Sequence, residues 1–179
     1  MSRVIRAPVP AIIRGMDQPQ GKALQLDADH AAFIQGAVSV VVSSRNSQSV
    51  PDVVRGCGCR VSRDRRRVTV LVEAARSGSV LEDIAANGLI AVVFSQPSTH
   101  RTIQLKGSDA RLTRVTGADR GIAQRHLQAW VQDLQLIGYA ADFARAVRGE
   151  APHLVAVTFT LAAAFQQTPG PAAGKRLAQ

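Results

Sequence analysis

The chain has 179 residues, 46% of them hydrophobic and 4% aromatic, enough for one compact domain and too few for two of ordinary size. Twenty-two Lys and Arg against thirteen Asp and Glu give a net charge of +9, and the aliphatic content excludes a wholly disordered chain. No apolar run approaches the roughly 20 residues of a membrane span, and Pro8 and Pro10 interrupt the N-terminus before a signal-peptide core forms, so a cytoplasmic protein is expected.

Residues 1–25 read as an irregular arm, 26–168 as the folded domain and 169–179 as a loop tail. Asp27 is placed to cap a short helix over 28–35, with Ala32 and Phe33 turned inward and Gly36 stopping it. The β-branched run 37–43 predicts a strand closed by a turn over 44–49. The next strand, 53–61, carries Gly56 and Gly58, which suggest a bulge. Residues 67–72 return as the second half of an antiparallel hairpin across the arginine-rich segment 63–67. That segment reads as a solvated turn, because no aromatics are interleaved with its cations as in single-strand nucleic-acid binders; polyanion binding is the lesser reading.

Residues 79–87 have helical spacing, with Glu82 and Asp83 placed in the first turn and Gly88 as the stop. The unbroken apolar run 89–94 predicts a strand buried on both faces, and 102–106 an alternating one. Between them lies the polar loop 95–101. Ile122, Leu127, Trp130, Leu134 and Ile137 recur at helical spacing and predict a long amphipathic helix over 119–137. A second helix over 139–147 and a strand over 154–161 complete the domain. About six short strands, mostly adjacent in sequence and without regular β-α alternation, predict an antiparallel β-barrel with peripheral helices and exclude a doubly wound sheet.

The chain has no Walker loop and no GxGxxG turn. Cys57 and Cys59, two apart on a strand, are expected on one face as packing residues. His30, His100, His126 and His153 stand apart from one another and from the cysteines, so no metal site is expected; His30, His126 and His153 read as surface or boundary residues. Thr99-His-Arg-Thr102 is different. Two hydroxyls, an imidazole and a guanidinium there suit a phosphate or a ring carbonyl, or else a polar turn that caps strand ends. No acid or serine is singled out for a catalytic triad, and catalytic residues stay unassigned.

The segment Ile90-Ala-Val-Val-Phe-Ser-Gln-Pro-Ser-Thr-His-Arg-Thr-Ile-Gln-Leu-Lys-Gly107, with the preceding hairpin and short helix, resembles the pyridoxamine 5'-phosphate oxidase-like family of flavin-binding split β-barrels. The resemblance spans about residues 28–168. It implies a homodimer with FMN bound between the subunits. In that likeness Arg101-Thr-Ile-Gln-Leu-Lys-Gly107 matches a family strand, with Thr102 where the oxidases have Gln and Gln104 on the same face. Arg55 matches an arginine on an earlier strand, and Arg76 and Ser77 stand near the place where family members hold the phosphate. The implied cofactor-binding set is Arg55, Arg76, Ser77, Thr99, His100, Arg101, Thr102, Gln104 and Lys106. The C-terminal pattern of true pyridoxamine phosphate oxidases is missing. The function expected is therefore an FMN-binding oxidoreductase acting between a small substrate or reduced nicotinamide and an acceptor such as oxygen; the alternative is a non-catalytic flavin or haem binding protein. Nucleic acid and membrane are not expected partners.

Overall fold

The computed structural model describes residues 24–177. Most of the predicted arm, residues 1–23, lies outside them, as do residues 178 and 179. The elements in chain order are α1 (Ala28–Ile34), β1 (Ser39–Arg45), β2 (Pro51–Val61), β3 (Arg67–Glu73), α2 (Gly78–Asn87), β4 (Ile90–Ser95), β5 (Thr102–Gly107), β6 (Arg111–Thr113), α3 (Gly117–Leu136), α4 (Ala141–Arg148), β7 (Leu154–Thr160) and β8 (Ala163–Gln166). The strands form one antiparallel sheet in the order β6-β7-β3-β2-β1-β4-β5-β8. This is the predicted antiparallel barrel with peripheral helices.

The sheet curls because β2 bends. Its register against β3 shifts between Gly56 and Cys59, and Gly58 sits at φ +117°, a conformation that L side chains rarely adopt. The two halves of the sheet are joined where β7 runs almost directly into β8. Leu161 N–H donates to Arg66 C=O at 2.9 Å and Ala162 N–H to Lys106 C=O at 2.9 Å, so two residues carry the chain from one half to the other. At the end of β5, a Cβ on Gly107 would lie 2.6 Å from Phe159 Cδ2, which closes the wall against β7. The enclosed core is apolar and mostly aliphatic, with Val40, Val42, Val68, Val70, Val92, Ile103 and Leu105 buried around the rings of Phe94 and Phe159.

Several expectations are corrected. Helix α1 is capped by Asp27, whose carboxylate accepts the His30 N–H at 2.7 Å, but it buries Ala31 and Ile34; Ala32 is exposed and Phe33 half-buried. Glu82 and Asp83 lie past the first turn of α2, where Asp83 accepts from Ser44 Oγ at 2.8 Å. Gly88 does end that helix, in the left-handed conformation. Cys57 and Cys59 do not share a face: the bulge sends Cys57 beneath α3 with Leu71, Ala123 and Ala156, and Cys59 into the barrel core. Burial pushes both thiols up, so neither is poised as a nucleophile. His126 is buried, not a boundary residue. Strands β6 and β8 were not foreseen, being only three and four residues long. The tail beyond β8 folds back on it through a Phe165–Arg176 bridge.

The most consequential correction concerns β4. Its unbroken apolar sequence predicts cover on both faces, yet only Ile90, Val92 and Phe94 are buried, while Ala91, Val93 and Ser95 on the other face stay half-exposed. Among the described residues no helix is long and apolar enough to cross a membrane.

Candidate functional site

The half-bare face of the sheet carries much of the predicted cofactor set. Directly paired residues on neighbouring strands share a face, so the register arranges the outer surface in rows. One row runs Arg55, Val41, Val93, Gln104, Phe165 across β2, β1, β4, β5 and β8. The next runs Val53, Ser43, Ala91, Lys106, Ala163. A third row is hydroxyl: Ser39 opposes Ser95, which opposes Thr102, and the Ser95 and Thr102 hydroxyls lie 2.7 Å apart. Arg55 and Gln104 are three strand spacings apart, about 14 Å at the usual 4.7–4.9 Å. No compact ion bridges them, but an elongated ligand lying across the strands would.

The donors on this face keep capacity for a ligand. Arg55 is exposed; it donates to Ser39 Oγ at 2.9 Å and lies 5.5 Å from the Trp130 ring, with no carboxylate paired to it among the described residues. Lys106 is exposed, with Nζ 5.1 Å from the Phe165 ring, and it borders a hollow of about 370 Å³ that also touches Ser43, Ser44, Arg45 and Gly107. Gln104 is half-buried between Val93 and Phe165.

The loop between β4 and β5 lies at one end of this face, held by a residue that sequence reasoning passed over. Asp133 on α3 is buried and accepts from Gln96 Nε2 at 2.9 Å, Ser98 N–H at 2.9 Å and Ser98 Oγ at 2.6 Å. The tether turns Thr99 and His100 outward, both exposed, with His100 at φ +58°. Arg101 leaves the loop in another direction. Its guanidinium pairs with Asp29 of α1 and stacks 4.2 Å from the Phe33 ring. It therefore clamps α1 to the loop and is already engaged within the chain.

Arg76 and Ser77 lie apart from the sheet face. Ser77 Oγ is buried and donates to Glu73 C=O at 2.6 Å, and Arg76 donates from Nη2 to Glu150 C=O at 2.7 Å, with Glu73 Oε2 at 3.8 Å from its Nε. The segment joining α4 to β7 covers this arginine so closely that a Cβ on Gly149 would lie 2.3 Å from Arg76 Nη1. Of the nine expected residues, the structure thus brings Arg55, Thr102, Gln104 and Lys106 onto one face, sets Thr99, His100 and Arg101 at its end, and separates Arg76 and Ser77 from it.

Helix α3 backs the site. Gly58 makes room for it, since a Cβ there would lie 3.0 Å from His126 Cβ. His126 Nε2 donates to Val38 C=O at 2.8 Å, which leaves Nδ1 as a buried acceptor with no partner. Burial, together with the nearby Arg148 charge, holds its pKa down at about 4 despite the Val38 bond. At the start of the helix Asp119 accepts the Thr116 N–H at 2.7 Å and Arg60 Nε at 2.9 Å; these contacts outweigh its burial and keep its pKa below the usual carboxylate value. Polar residues on the buried stripe 119, 126, 130 and 133 are the signal by which sequence reasoning could have found Asp133 and His126.

No protein-family model and no curated protein matches the chain. Solved structures do. The chain is similar to Group A Streptococcus HupZ at 15% identity and a TM-score of 0.52, over 84% of this chain and 100% of that one. It is likewise similar to a Lactobacillus delbrueckii protein described as a candidate pyridoxamine 5'-phosphate oxidase, at 13% identity and a TM-score of 0.50, over 79% and 93% of the two chains. With eight antiparallel strands and four α-helices among the described residues, the chain has the split-barrel fold of the pyridoxamine 5'-phosphate oxidase-like proteins.

Proposed function

We propose that the protein is a homodimeric flavoprotein that binds FMN on the half-bare sheet face, between two copies of the chain, and serves as an oxidoreductase. The observation that carries this reading is β4. Its outward residues Ala91 and Val93 belong to an unbroken apolar strand, yet the described residues cover them only in part, and the same face bears Arg55, Gln104 and Lys106 with donors to spare.

The donor set fits the group. A flavin needs its phosphate charge neutralised, for which Arg55 at one end of the face is suited, and donors at its ring carbonyls, for which the Gln104 amide, the Thr102 hydroxyl and Lys106 on β5 are suited. Bound there, FMN would supply hydride and single-electron chemistry that no side chain offers. The chain's own part is to hold and orient the ring over small residues, Val41, Val93 and Ala91, and to exclude water once the second copy closes the face. Arg76 and Ser77, engaged within the chain, are left out of this set, and Arg101 acts by fixing α1 against the loop.

The test is an anaerobic titration of the FMN-loaded protein with NADH and with NADPH. Bleaching of the flavin absorbance by one of them, slowed in Gln104→Leu, is the result expected. Tight FMN binding with no bleaching by either nicotinamide would favour the non-catalytic binder.

A further inference from the structure

Trp130 is the chain's one tryptophan and lies on α3, with the Arg55 guanidinium 5.5 Å from its ring centre. It is 4% exposed and packs with Val131, Leu134 and Ala144. Core packing alone does not account for an indole there. Its Nε1–H is buried with no partner among the described residues, a cost that Leu or Phe at the same position would not carry. What the indole adds is the side-chain ring that holds a cation best.

The helix fixes that ring in place. One turn before it, His126 Nε2 donates to Val38 C=O at 2.8 Å, and one turn after it Asp133 accepts from Gln96 and Ser98. The seat matters for what it leaves on Arg55. A carboxylate can steady an arginine on a protein surface, but it also cancels the charge, and Asp29 holds Arg101 in that way. Arg55 is held instead by a ring face and by the Ser39 hydroxyl at 2.9 Å, both uncharged, and no carboxylate pairs with it among the described residues. Its side chain is thereby ordered in advance, with its charge and most of its N–H fork left for an anion.

We infer that Trp130 is a positioning residue of the proposed flavin site: its ring seats Arg55 against the FMN phosphate and so sets a preference for FMN over riboflavin, the same flavin without the phosphate. The inference rests on the flavin reading. Buried as it is, Trp130 acts through Arg55 and not by contact with the cofactor.

Flavin-fluorescence titrations with FMN and with riboflavin test it. The wild-type protein is expected to bind FMN more tightly than riboflavin. W130L should weaken FMN binding about three- to tenfold while riboflavin binding stays within about twofold. W130M, which fills more of the volume without a ring face, should do the same and serves if W130L fails to fold. W130F, which keeps a ring under the guanidinium, should restore most of the preference. In R55Q the preference should be small, and R55Q/W130L should reduce it no further. A role in packing alone would lower both affinities alike. An unchanged preference for FMN in W130L and W130M, or a further loss of it in R55Q/W130L, would overturn the inference while leaving the flavin reading in place. Wild-type protein that takes up neither flavin would overturn both.

Discussion

His126 shows how one side chain can join two elements and also set a pH limit. Its ring sits against Gly58 and bonds the carbonyl of Val38, so protonation would place a second cation beside Arg148. The folded pKa, about 4, lies below the unfolded value near 6.5, so between these pH values the unfolded chain binds the extra proton. This contribution is complete above pH 6.5 and is lost as pH falls toward 4, with an upper magnitude of about 3 kcal/mol. Urea unfolding at a series of pH values should show a decline in stability over this window. His126→Gln, which can still donate to Val38, should flatten it, whereas an equal decline in the variant would assign the effect to other groups.

At the scale of elements, the β4–β5 loop closes its own turn through Gln96 N–H to Arg101 C=O and His100 N–H to Gln96 C=O, both 2.9 Å, and is fixed to α3 through Asp133. Asp133→Ala leaves the Gln96 amide, the Ser98 amide and the Ser98 hydroxyl without their acceptor, and should lower stability by about 1–3 kcal/mol in urea unfolding. A stability within error of wild type would mean that the loop holds itself. Much of the element plan was legible beforehand: the hairpin, the Gly88 stop, the long helix and the barrel class follow from period, β-branching and glycine placement. What escaped was non-local. On α1, Ala31 and Ile34 are the fully buried positions and Phe33 packs half-buried against the same core, whereas Ala32 faces outward. The separation of Cys57 from Cys59 depends on a bulge whose register only the partner strand defines. Of the candidate site, Arg55, Thr102, Gln104 and Lys106 could be grouped from strand alternation and pairing. The engagement of Arg101 by Asp29 and of Arg76 by the Glu150 carbonyl joins residues about seventy positions apart and leaves no local trace.

For the whole molecule, the proposed dimer rests on the contrast between the apolar sequence of β4 and its half-buried outer residues. A face built of Ser39, Val41, Ser43, Ala91, Val93 and Ser95 is flat and small-featured, suited to close approach of another surface. Val93→Arg places a charge at its centre without touching the barrel core. The variant should keep the wild-type circular dichroism spectrum while existing as a monomer at micromolar concentration and losing FMN; a dimer that survives this substitution would place the contact elsewhere.

Flavin binding and dimer formation on one face meet in a single measurement: sedimentation velocity of the protein with FMN, followed in the protein band and in the visible flavin band together. The account predicts flavin sedimenting with a dimer at about one per chain, and neither flavin uptake nor dimer in Val93→Arg. Flavin that stays free of the wild-type protein, or that sediments with a monomer, would contradict it.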